Sequence, residues 1–192
     1  MWHDDAVKAR QVCGVLCELL DDRGYALVDD DARLSGEERR QLREMPLVGE
    51  RPTGQLAAVC YCTEHKMSVK FLRKLVAITE ACPRLERVVV VVHDCVTHFA
   101  AREQTRQPRI QIFKYAELMY NVTRHVSVPR HTRVDPADVA QLLRDLKVRR
   151  RELPTMSASD VQVRYHGWPT GTLVRIERML FGTTQIYYRL VT

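Results

Sequence analysis

Apolar positions in the first part of the chain recur at helical spacing and then switch to short continuous runs. Val12, Val15, Leu16, Leu19 and Leu20 repeat every three or four positions, which predicts an amphipathic helix over residues 6–21. It should stop at DDRGY, where Gly24 can take the left-handed conformation that ends helices. A second helix is predicted from Ser35, because SGEE sets Glu38 three residues after a capping serine. QLAAVCYC (55–62) reads as a strand, and SVKFLRKLVAITEAC (68–82) as a helix with Val69, Leu72, Val76 and Thr79 along one stripe. The β-branched run RVVVVV (87–92) predicts a strand buried on both faces. Residues 97–105 read as a helix and RIQIF (109–113) as a further strand. This alternation over 55–113 implies a small α/β sheet.

Beyond residue 113 the texture changes. DPADVAQLLRDLKV predicts a helix with Asp135 as cap, Pro136 at the first helical position, and Val139, Leu142, Leu143 and Leu146 on one face. SDVQVRYHG reads as a short helix capped by Ser159 and stopped by Gly167. TLVRIERM and QIYYRLV, with FGTT between them, predict a closing antiparallel hairpin. Alternation sets Leu173, Arg175, Glu177 and Met179 opposite Val174, Ile176 and Arg178, with Ile176 and Leu190 expected inside. The expected fold class is α+β. A small N-terminal α/β domain covers residues 1–108, and a mixed α/β domain ending in the hairpin covers 109–192.

Charge divides the chain at the same place. Residues 109–192 carry 14 Lys+Arg against 7 Asp+Glu, a net of +7, whereas residues 1–108 carry 16 against 17, a net of −1. The basic half suits nucleic acid or an acidic protein surface equally well. Hydrophobic content of 45% fits a globular protein. The longest apolar run, Val88–Val92, is far too short to span a membrane. The start MWHDDAVKAR lacks a signal peptide's apolar core, so the expectation is an intracellular chain with reduced thiols and no membrane partner.

The candidate chemistry is sparse. No phosphate-binding glycine loop, dinucleotide fingerprint, nucleophile elbow or HExxH helix occurs. Cys60, Cys62, His65, Cys82, His93 and Cys95 could in principle gather around zinc. Without paired-knuckle spacing, buried or incidental thiols are the favoured reading, and no metal or cofactor is expected. HDC (93–95) follows the buried strand, where α/β enzymes place catalytic groups, so a Cys95 nucleophile with a His93 base is one reading. No third residue orients that pair. The DDD run at 29–31 reads as a solvated turn rather than a magnesium site, and Arg149–Arg151 as either a solvated charge run or a docking element.

RHVSVPRHTRV (124–134) sets His125 and His131 six residues apart around Pro129, among arginines. Proline pushes Val128 into extended geometry. Six extended residues would separate the rings by up to roughly 20 Å, so the two histidines suit a docking surface better than a shared metal.

NVTRHVSVPRHTRV, then the LL helix, LP at 153–154, RYHGWPTGTLVRIER and YYRLV together resemble one family. That family is the shared fifth subunit of eukaryotic nuclear RNA polymerases, whose C-terminal half has a counterpart among the subunits of archaeal RNA polymerase. The resemblance runs across residues 119–191. It is carried by His125, Val128, Pro129, His131, Leu153, Pro154, Arg164, Tyr165, Gly167, Gly171, Val174, Ile176, Arg178, Tyr188 and Arg189. Arg130 stands where the family favours lysine, and Val161 where it usually has proline. In the first half the marks are fewer: DRGY (22–25), SVKFLRKLVAI, and Thr97 and Ala100 bracketing a tetrapeptide in which His98 and Phe99 replace Pro-Ser.

The resemblance implies a non-catalytic polymerase subunit with no cofactor and no small-molecule substrate. Its C-terminal domain would dock on the largest subunit through His125, Val128, Pro129, Arg130, His131, Arg164, Tyr165, Gly167, Arg178 and Arg189. Its N-terminal domain would form part of a jaw beside downstream duplex DNA. In THFAAREQTR (97–106) a capping threonine starts a helix with Arg102 and Arg106 four apart on one face, so Thr97, His98, Arg102 and Arg106 are expected nearest the DNA and Phe99 turned inward. The implied compartment is the nucleus for a cellular polymerase, or the virion and infected-cell cytoplasm for that of a large DNA virus; origin and polymerase class stay open. The rival readings are a free-standing nucleic-acid-binding protein and a thiol hydrolase or nuclease-like enzyme using His93, Asp94 or Cys95.

Overall fold

The computed structural model describes residues 6–28, 33–180 and 182–192. The chain forms two compact units, divided between Tyr120 and Asn121. This differs from the boundary expected at 108/109. The strand predicted at 109–113 pairs with the valine strand, so it belongs to the N-terminal sheet and takes the following turn with it.

In the first unit, α1 (Ala6–Asp22) leads to a short β1 (Ala26–Leu27), α2 (Gly36–Leu42) and β2 (Leu47–Glu50). Then come β3 (Leu56–Tyr61), β4 (Lys66–Met67), α3 (Val69–Ala81), β5 (Leu85–Val92), β6 (Cys95–Val96), α4 (His98–Gln104) and β7 (Ile110–Lys114). The sheet order is β1-β2-β3-β5-β7, antiparallel across β1, β2 and β3 and parallel across β3, β5 and β7. Parallel neighbours need long crossovers, which α3 and α4 lie within.

The five valines explain this layering. Val88, Val90 and Val92 pack with Leu72 and Leu75 of α3 in one cluster, while Val89 and Val91 are equally buried on the opposite face. Cys13 and Cys17 of α1 lie close to Tyr61, which alternation sets on that second face. A sheet covered on both sides has no polar face, hence the continuous apolar run.

Caps fall largely where the local sequence predicts. Ser35 accepts from the Glu38 N–H at 3.2 Å while the Glu38 carboxylate accepts from the Ser35 N–H at 2.8 Å. Gly24 sits at φ 80, directly after the helix-ending Asp22-Arg23 turn. Gly49 has a different reason for being glycine: a Cβ there would lie 2.8 Å from Cβ of Tyr25. Tyr25 in turn donates its hydroxyl to Glu86 at 2.8 Å, and Arg51 both pairs with Glu86 at 2.9 Å and stacks 4.2 Å over the tyrosine ring.

The second unit contains β8 (Arg130–Arg133), α5 (Val139–Asp145), β9 (Thr155–Met156), α6 (Val161–His166), β10 (Leu173–Leu180) and β11 (Thr183–Val191). Its sheet order is β8-β10-β11-β9. The closing hairpin forms as predicted, but its inward face needs correction. Leu190 lies opposite Leu173, and Ile176 opposite Tyr187, so the two expected core residues stand on opposite faces. Val174, Ile176 and Val191 share the face that packs with Val163 and Met156, and Leu190 is only half-buried. The pairing offset between the strands, rather than alternation within either, decides this.

Two helix starts also move. Asp160, not Ser159, caps α6, accepting from the Gln162 N–H at 2.8 Å. α5 begins at Val139 rather than directly after Asp135, whose carboxylate instead accepts from the Ala137 N–H at 2.9 Å in a local turn. None of the α5 residues is buried.

Candidate docking surface and DNA-facing helix

The histidine–proline segment is less extended than the sequence implies. After a single 3-10 turn, Val122–Arg124, the chain turns again: the Val128 N–H donates to the His125 carbonyl at 2.8 Å, and the Ser127 N–H to His125 Nδ1 at 3.2 Å. Only from Pro129 does it run straight into β8. His125 is exposed at this turn, while His131 is half-buried in the sheet. The Pro129 carbonyl can only accept, so the 2.7 Å contact makes Nδ1 of His131 its donor and leaves Nε2 for other partners. Burial lowers the His131 pKa below the ordinary imidazole value, and Arg178 and Arg189 push the same way against Pro129 and Asp160.

Strand register then sorts the expected docking residues. Ile176 is flanked by His131 on one side and Tyr187 on the other, and Val174 by Arg133 and Arg189. His131, Arg178, Arg189, Arg133 and Tyr187 therefore share one sheet face, ringed around an apolar centre. Arg178 lies 5.4 Å from the Tyr187 ring, and Arg189 donates to the Thr155 carbonyl at 3.1 Å. Arg130 pairs with Glu177 on the opposite face and leaves the group.

Tyr165 leaves it too. Its ring is buried and its hydroxyl accepts from the Asn121 amide at 2.8 Å, tying α6 to the start of the unit. Gly167 ends α6 at φ 67, a backbone role. Val128, Pro129 and Arg164 are half-buried beside these elements. Tyr187 was not legible as a surface partner, since only the register of three strands sets it on the His131 face, whereas Arg133 shares that face by alternation within β8. Of the arginine run, Arg149 bonds Glu152 at 2.7 Å and Arg150 donates to the Gly171 carbonyl.

In the first unit, Thr97 caps α4 by accepting from the Ala100 N–H at 3.4 Å, and its hydroxyl donates to the Met67 carbonyl at 3.1 Å. Ala100 is the residue turned inward. Phe99 is 73% exposed, with its ring edge-on to His98 at 5.9 Å, which reverses the expected orientation. A seven-residue helix buries one narrow stripe, and Ala100 occupies it. Arg102 is exposed, whereas Arg106 lies past the helix end and faces Glu103 at 3.7 Å, so the two do not form one helical face.

Little assembles around the rival site. His93 is exposed and Cys95 half-buried; the His93 ring centroid lies 6.5 Å from those of His65 and Tyr115. Cys60, Cys62 and Cys82 line the core, where burial pushes the Cys60 thiol up to about 11 and raises the other two. Thiols raised in this way stay protonated and pack as small apolar groups. Among the described residues, no group of three or more His, Cys, Asp or Glu is placed to hold a metal ion. The acidic run at 29–31 lies outside the described residues.

Comparison with known proteins follows the same division. Residues 120–191 match the family described as RNA polymerase Rpb5, C-terminal domain, nearly the whole second unit. Over longer spans the chain is similar to DNA-directed RNA polymerase subunit 5-like protein 1 of Arabidopsis thaliana, 28% identical over 91% of this chain and 90% of that protein. It is also similar to subunit 5B of the Arabidopsis polymerases IV and V, 25% identical over 83% and 78%. A third relative is subunit rpabc1 of the Dictyostelium discoideum polymerases I, II and III, 26% identical over 91% and 92%. Residues 120–191, the span that holds the histidine–proline segment, α6 and the closing hairpin, are thus similar to the RNA polymerase Rpb5 C-terminal domain.

Proposed function

We propose that this chain is a non-catalytic subunit of a multisubunit DNA-directed RNA polymerase. The observation that carries the reading is the match of one entire folded unit to a polymerase-subunit domain, with relatives similar over most of the chain. The C-terminal unit is the assembly element and docks on the largest subunit. Its basic residues His131, Arg178 and Arg189, with Tyr187 beside them, stand at the margin of the sheet face whose centre packs with Val163, and suit an acidic partner surface that also buries an aromatic ring. His125 and Pro129 shape the turn that delivers β8 to this face.

The N-terminal unit stands beside downstream duplex DNA. His98, Phe99 and Arg102 are the exposed side chains around the Thr97 cap, and contact through them is sequence-independent, since phosphate contacts position a duplex without reading bases. The proposed compartment is the nucleus, and none of the relatives named above is viral.

Affinity purification of the tagged chain from its native source tests the reading. Large polymerase subunits should co-purify with the parent and be lost, with the chain still folded, when Arg178 and Arg189 are both replaced by glutamate. The Arg102→Glu polymerase should assemble normally but hold downstream duplex less well as salt rises. Absence of polymerase subunits from the parent eluate would sink the assignment, and normal assembly of the double variant would sink the docking face.

A further inference from the structure

α5 is too short to be stable alone, yet it buries none of its residues within this chain. Val139, Leu142 and Leu143 are half-covered, and Leu146 just beyond is exposed, although their spacing predicts a core-facing stripe. Part of that stripe borders a groove of about 440 Å³, whose opposite wall is the Pro169–Leu173 turn. The wall is firmly built. The Thr172 N–H and hydroxyl both donate to the Pro169 carbonyl, at 3.1 and 2.7 Å, and the Gly171 N–H donates to Val191 at 2.8 Å. Gly171, at φ 89, adds no side chain to the space.

The lining has a distinct chemistry. Between the walls it is mainly apolar, with Val134 and Leu173 completing the stripe from α5. Arg133, at the end of β8, and Arg150 complete the lining, and no carboxylate contributes to it. Arg150 donates to Gly171, but the side chain of Arg133 has no hydrogen-bond or ion-pair partner among the described residues. The unit as a whole is basic, with 12 Lys+Arg against 6 Asp+Glu over residues 121–192.

We propose that this groove docks a protein segment in which an apolar side chain is flanked by carboxylates. The apolar chain fills the space between α5 and the Pro169–Leu173 turn, and the carboxylates pair with Arg133 and Arg150. A bare phosphate or a nucleic-acid backbone would gain nothing from the valine and leucine lining, whereas a purely apolar segment would leave the Arg133 guanidinium unanswered. The volume suits one or two side chains of a peptide, within the size range of specific recognition pockets. This inference does not depend on the polymerase reading.

The test uses the full chain and a fluorescein-labelled peptide alternating leucine and glutamate, followed by fluorescence anisotropy. The parent should bind it saturably and more weakly as salt rises. Arg133→Glu should weaken binding by about tenfold or more, by turning attraction into repulsion. Ala140→Glu should do the same: Ala140 is an exposed residue of the lining, so the change costs no packing. Circular dichroism shows whether each variant is folded. A peptide with glutamine in place of glutamate should bind about tenfold less tightly. Failure of the parent to bind, or binding within about twofold in both folded variants, overturns the proposal, as does equal affinity for the glutamine peptide. Sedimentation showing a dimer that Ala140→Glu abolishes would assign the groove to a second copy and overturn it likewise. Peptide binding by a chain that brings down no polymerase subunits would keep the groove and remove the polymerase assignment.

Discussion

Replacing Ile176 with alanine tests the assignment of the inner face in the C-terminal unit. Ile176 is 2% exposed and packs in a cluster with Val163, Val174, Val191 and Met156. The substitution removes three carbon atoms from water-free surroundings, worth roughly 2.4 kcal/mol at about 0.8 kcal/mol each. An unrelaxed cavity adds on the order of 1 kcal/mol, for a total of about 3–4 kcal/mol. Leu190→Ala is the control. Leu190 is half-buried on the other face, so its truncation should cost about half as much. Trp168 packs against the Ile176 cluster and reports on this unit alone once Trp2 is replaced by phenylalanine. Urea unfolding followed by Trp168 emission then gives both losses under identical conditions. A cost below about 1 kcal/mol for Ile176→Ala, or a larger cost for Leu190→Ala, would refute the assignment of faces.

Two further outcomes follow from particular side chains. Burial depresses the His131 pKa below its ordinary 6.5, so as pH falls below that value the unfolded chain takes up a proton that the folded unit resists. The stability present above about pH 6.5 should therefore decline below it, and His131→Gln should flatten that decline in the Trp168 urea midpoint; an unchanged slope would place the titration elsewhere. Gly49→Ala should destabilise the N-terminal unit by about 1–3 kcal/mol, because its Cβ would meet the Tyr25 Cβ rather than the end of a flexible chain. A thermal melt of the full chain indistinguishable from the parent's would show that β2 moves away at little cost.

Much of this protein is legible in its local chemistry. The Ser35–Glu38 box, the Thr97 cap and the glycine stops at Gly24 and Gly167 involve atoms a few residues apart, so short stretches of sequence determine them. The valine run likewise points to a strand buried on both faces, because β-branched residues favour strands and a doubly covered parallel strand takes apolar residues on either side. The ordered residues from His125 to Arg189 point to the polymerase-subunit family, whose C-terminal domain residues 120–191 match.

What the sequence could not set was how distant segments pair. Alternation says which residues of one strand share a side, but the offset between strands decides whether Leu190 joins Ile176 or opposes it, and that offset is a property of two chains of atoms at once. The offsets between β8, β10 and β11 likewise gather His131, Arg178 and Arg189 on one face, and the packing of α6, which brings the Tyr165 hydroxyl to Asn121, leaves Tyr165 inside. β7 joined the N-terminal sheet because it pairs with β5, a contact that no composition boundary reveals. Apolar spacing in α5 likewise gave its amphipathic pattern but not its cover, since burial depends on what the rest of the fold places opposite the helix.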